Sequence, residues 1–108
     1  MNLTDKKCVP CEGGTPPLTD AQIKDFVAEL KNPWNVSENK KIQREFKFKD
    51  FISAMAFVNQ VAAIAEREGH HPDIHVYYNR VVIDLWTHAV HGLSENDFIV
   101  AAKIDALL

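Results

Sequence analysis

Cysteine is scarce in this chain, with Cys8 and Cys11 the only two among 108 residues. A single Cys-x-x-Cys cannot supply the four ligands of a structural zinc site, and it has no surrounding βαβ pattern of the kind a redox pair occupies. The pair therefore reads as part of an N-terminal arm. Long apolar runs are missing as well. No stretch approaches the roughly eighteen uninterrupted apolar residues of a membrane span, and the opening MNLTDKKCVP lacks the apolar centre of a signal peptide. The expectation is a cytoplasmic protein without membrane contact. Basic excess is absent too: a net charge of -3 and a pI near 5.9 leave no cationic footprint for a phosphate backbone, which argues against nucleic acid as a partner.

What is present fits one globular domain, since 46% hydrophobic and 25% charged residues are ordinary values and 108 residues suffice for a single core. Residues 1–17 end in GGTPP, a cluster that punctuates the chain, so this stretch is expected to be a loosely ordered arm before a domain at 18–108. Thr19 can cap a helix over Asp20 to Leu30, with Ile23, Phe26, Val27 and Leu30 on one stripe and Asn32-Pro33 as the stop. KIQREFKF then alternates as a strand covered on one face, with Ile42, Phe46 and Phe48 inward and Arg44 as the exception. Asp50 opens FISAMAFVNQVAAIAERE, a helix apolar nearly all round, broken only by the narrow stripe of Ser53, Gln60 and Arg67. Such a helix has no way to hide every face against its own sheet, so self-association is expected.

Two β-rich runs follow, DIHVYY and VVIDLWTH, separated by Asn79-Arg80. A two-residue turn there would pair Tyr78 with Val81, His75 with Asp84 and His71 with His88. Ser94 can cap a final helix with Asp97 at its third position, ahead of a stripe formed by Phe98, Ala101, Ala102, Ile104, Asp105 and Leu108. The order is α, β, α, β, β, α, with room for a short strand near Trp34 to Val36.

All five histidines (His70, His71, His75, His88 and His91) fall in one window starting at EGHHPD. Imidazoles take or give a proton near neutral pH, so two or three around a pocket suit an elimination or a hydration. Glu66, four residues before His70, can hold a histidine tautomer. Taken singly, each histidine reads as a surface or helix-end residue, and Asp97 as a helix-start residue. A metal site is the competing reading, although no His-x-x-x-His helix pair is present and adjacent histidines seldom serve one metal.

Glu66-x-x-x-His70-His71-Pro72, with Tyr78, His88 and Asp97 at their spacings, resembles the pterin-4a-carbinolamine dehydratases. The likeness extends through Trp34-Asn35, Phe46-Lys47-Phe48-Lys49-Asp50-Phe51, Thr87-His88 and Gly92-Leu93-Ser94-Glu95, covering roughly Leu18 to Leu108. It implies an α+β fold, a four-stranded antiparallel sheet with three helices packed on one face. It also implies dehydration of 4a-hydroxytetrahydropterin to quinonoid dihydropterin, which recycles the cofactor of aromatic amino acid hydroxylases. By position, His70, His71 and His88 become catalytic and Glu66 and Asp97 supporting, with no metal or cofactor, in a homodimer or homotetramer. Gly69 and Asn96 depart from residues that some members carry, an acidic one and an arginine. The resemblance also admits a binding module that partners a transcription factor.

Overall fold

The computed structural model describes residues 3–9 and 16–108. Helix α1 spans Asp20–Glu29, where Thr19 and Gln22 cap each other: the Thr19 hydroxyl accepts from the Gln22 amide at 3.3 Å and Gln22 Oε1 accepts from the Thr19 amide at 2.9 Å. The expected short strand is β1, Asn35–Ser37, followed by β2, Lys41–Lys47. Helix α2 covers Phe51–Glu68, β3 Asp73–Tyr77, β4 Arg80–Leu85 and α3 Glu95–Asp105. The strands form one antiparallel sheet in the order β1-β2-β4-β3. The three helices pack on one face of it, as the α+β expectation required.

Alternation along the strands decides which face is covered. Ile42, Phe46, Val81, Ile83 and Leu85 are buried toward the helices, meeting Phe57 and Val61 of α2 and Phe98 and Ile104 of α3. Phe57 links two strand-side rings, 4.8 Å from Phe46 and 5.0 Å from Phe48 between centroids. Arg44, the polar exception on β2, lies over the Phe46 ring at 4.3 Å and pairs with Asp105 of α3. The same carboxylate accepts from Trp34 Nε1 at 3.1 Å, so this buried charge is matched on two sides.

Two expectations change. The hairpin turns at Tyr78-Asn79, so that Tyr77 faces Arg80, His75 faces Val82 and Asp73 faces Asp84. Tyr78 takes φ 56, the positive value that the primed turns need at their first central residue. Because the pairing moves by two residues, every side chain keeps its expected face. The strands also stop short of the proposed His71–His88 rung, since β3 starts at Asp73 and β4 ends at Leu85.

The N-terminal arm is held down where it is described. Leu3 is buried in the core, and the short 3-10 turn Leu3–Asp5 packs against α3. Lys6 then pairs with Glu95. Of the pair read together in the sequence, Cys8 belongs to this docked segment and Cys11 lies outside the described residues.

Candidate active site

The site forms where the C-terminal end of α2 meets the N-terminal end of α3. Gly69 closes α2 in the left-handed region at φ 66, a conformation that glycine adopts without strain, and sends the chain directly into His70-His71. His70 is mostly buried, and its Nε2 lies 2.6 Å from Asp97 Oδ1. Asp97 is fully buried, and its second carboxylate oxygen is met by two donors. Its Oδ2 accepts from the Thr87 hydroxyl at 2.7 Å and from the Ser94 amide at 3.0 Å. Ser94 in turn lies 2.8 Å from the Thr87 hydroxyl, which uses its proton on Asp97 and accepts here.

A carboxylate surrounded by donors is an acceptor, so the proton between it and His70 belongs to Nε2 and Nδ1 is left to exchange protons. Asp97 thereby fills both roles that the sequence offered separately, starting α3 and orienting a histidine. Thr87 completes the arrangement. It was noted only inside the Thr87-His88 likeness, and its place on the inward-alternating side of the β4 run, in phase with Ile83 and Leu85, was the available signal.

His71 and Glu66 form a second, open pair, with Nε2 and Oε2 at 2.5 Å and both side chains largely in solvent. Exposure and competing water weaken such a pair. His88 opens a 3-10 turn, His88–Val90, its ring 3.7 Å from that of Trp86, whose Nε1 donates to Asp73 at 3.3 Å. The turn is pinched at its base: Thr87 and Gly92 exchange backbone hydrogen bonds of 2.8 and 3.3 Å. A Cβ on Gly92 would stand 3.0 Å from that of Pro17, so the base is packed as well as bonded.

These elements enclose a cleft of about 550 Å³, lined by His70, His71 and His88 together with Pro72, Trp86 and Thr87, and by Cys8, Val9 and Asn96. That volume suits a bicyclic small molecule. All three predicted histidines reach it, while Asp97 stands behind His70 and Glu66 sits outside beside His71. His75 and His91 go elsewhere. His75 faces Asp84 at 3.3 Å on the open side of the sheet, and exposed His91 ends the 3-10 turn at φ 56. Cys8 was not foreseen as a lining residue. Burial, reinforced by the Glu68 charge, pushes its thiol up to about 12, so while docked it stays protonated at physiological pH and reacts slowly. Among the described residues, no three histidine, cysteine or acidic side chains cluster as metal ligands do. No described helix is long and apolar enough to cross a membrane.

The chain matches the family described as "Pterin 4 alpha carbinolamine dehydratase" over residues 16–107. A Rickettsia bellii protein is 47% identical over 106 residues, covering 98% of this chain and 94% of its own. One from Nitrosospira multiformis is 52% identical over 106 residues, covering 98% and 92%. Both are provisionally named pterin-4-alpha-carbinolamine dehydratase. Among solved structures, the "transcriptional coactivator/pterin dehydratase" of Brucella melitensis superimposes with a TM-score of 0.79 at 37% identity, over 84% of this chain and 97% of that one. A "pterin dehydratase-like protein" described as a RuBisCO assembly factor of the alpha-carboxysome gives 0.61 at 26% identity, over 71% and 90%.

Proposed function

The chain belongs to the pterin 4 alpha carbinolamine dehydratase family, and from that premise we propose that it removes water from 4a-hydroxytetrahydropterin to give quinonoid dihydropterin. The observation that supports this most is His70, fixed by buried Asp97 in one tautomer beside a cleft that His71 and His88 share. In the reaction the C4a–O bond breaks, the hydroxyl leaves as water with a proton from an imidazolium, and N5 yields its proton to a neutral imidazole. Protons and electrons balance without an oxidant, so acid and base suffice and neither metal nor cofactor is required. His70 is the histidine anchored by a buried carboxylate. His71, with Glu66 at its edge, and His88 are the further proton carriers.

In this reading the protein recycles the pterin of an aromatic amino acid hydroxylase in the cytoplasm, as a homo-oligomer. The apolar outer side of α2 favours the oligomer, with Ile52 79% and Phe51 48% exposed. The same face suits a second reading, a module that binds another protein. Stopped-flow turnover of chemically generated 4a-hydroxytetrahydropterin separates the two. Faster dehydration than in buffer, unchanged after chelation of metals, is the expected result, and a rate equal to buffer would remove the dehydratase reading.

A further inference from the structure

The segment Leu3–Val9 is tied to the same two helix ends that carry His70 and Asp97. At the α2 end, Glu68 accepts from the Cys8 amide at 2.9 Å with one oxygen and from Lys103 at 2.8 Å with the other. At the α3 end, the Asn96 side chain brackets Val9 as a neighbouring strand would: Oδ1 accepts from the Val9 amide at 3.1 Å and Nδ2 donates to the Val9 carbonyl at 2.6 Å. The Asn96 carbonyl lies 3.7 Å from Cys8 Sγ. Only a side-chain amide both donates and accepts in this geometry. Asn96 is buried, and its neighbour in sequence is Asp97, so the clamp on the segment and the anchor of His70 share one helical turn. The outcome is that Cys8 and Val9 line the cleft alongside the histidines, with Val9 65% exposed at its edge.

We infer that Leu3–Val9 is a strap forming one wall of the pterin site, with Asn96 as the positioning residue that holds it and Val9 as an apolar contact for bound substrate. This rests on the dehydratase reading. A wall that touches substrate equally before and during reaction changes KM and leaves kcat alone, whereas a loosened fold lowers both.

The test uses the full chain carrying Cys11→Ser, so that Cys8 is the only thiol, and follows its labelling by an aromatic disulfide reagent. A stable dihydropterin should slow labelling at least several-fold, because it covers the wall. Asn96→Ala should speed labelling about tenfold and raise KM about tenfold with kcat within twofold. Val9→Ala, which keeps the backbone clamp, should raise KM about threefold with labelling unchanged in the absence of pterin. If the parent turns over substrate but dihydropterin does not protect Cys8 and both variants keep the parental KM, the strap is no part of the site. If the parent neither turns over substrate nor binds dihydropterin, the dehydratase reading and the strap fall together.

Discussion

His70 and Asp97 meet at 2.6 Å across 27 positions of sequence, and the carboxylate that orients the imidazole also takes the Ser94 amide at the start of α3. Asp97→Asn keeps the shape but replaces one acceptor oxygen with a donor and removes the charge. We expect kcat to fall about ten- to hundredfold, as when an orienting partner is lost, and stability to fall by about 1–3 kcal/mol as its buried donors lose their acceptor. Steady-state kinetics and urea unfolding check this. Parental kcat in the folded variant would detach Asp97 from the chemistry.

The histidines should divide by place. His70→Ala, His71→Ala and His88→Ala should each lower kcat about a hundredfold, and paired losses should fall short of the product because the groups act as one unit. His75→Ala and His91→Ala should stay within a few fold, since neither side chain lines the cleft. Comparing kcat for the five variants, with folding verified by circular dichroism, decides. Full activity in both His70→Ala and His88→Ala would refute the assignment.

Glu68 links acid stability to the docked strap. Hydrogen bonding from Lys103, then from the Cys8 amide, holds its carboxyl below the ordinary 4.5. A depressed folded value means the stabilisation is complete above 4.5 and disappears as pH falls through the lower, folded value. Glu68→Gln should therefore cost about 1–3 kcal/mol near neutrality, and progressively less against the parent below pH 4.5. Urea unfolding across that range is the measurement. A deficit constant with pH would show that the charge plays no part.

The outer side of α2 should hold copies of the chain together. At micromolar concentration the parent should sediment as an oligomer, and Ile52→Glu should shift it toward the 12.2 kDa single chain. A parent already sedimenting at that mass would rule out self-association.

Most of the fold was legible because periodicity reports burial. Ile42 and Phe46 alternate as a covered strand must, and Asp50 and Ser94 mark helix starts that the structure keeps. The hairpin register was misread because Asn79 is the stronger turn former, whereas Arg80 stays in the ladder, stacks 4.6 Å over Tyr77 and pairs with Glu45 at 2.9 Å. Asp105 sat in an apolar stripe with nothing local to show that Arg44 and Trp34 would meet it. The strap was illegible for the same reason. Its partners Glu68 and Asn96 lie 60 or more residues away, and composition alone suggested a loose tail. The histidine cluster was visible as a window, but the separation of His75 and His91 from the other three depended on which face each backbone position presents.

The pinched base between Thr87 and Gly92 governs how this scaffold tolerates redesign. Its backbone bonds and the Pro17 contact fix where the loop begins and ends, so an added residue inside it must displace His88 or unpick the base. The exposed turn at Glu38-Asn39 leans on the same base, its Asn39 carbonyl 4.0 Å from where a Gly92 Cβ would stand. Inserted peptides and reporter fusions at that turn would therefore press on the base from outside, and the length of the His88 loop is a constant of the architecture.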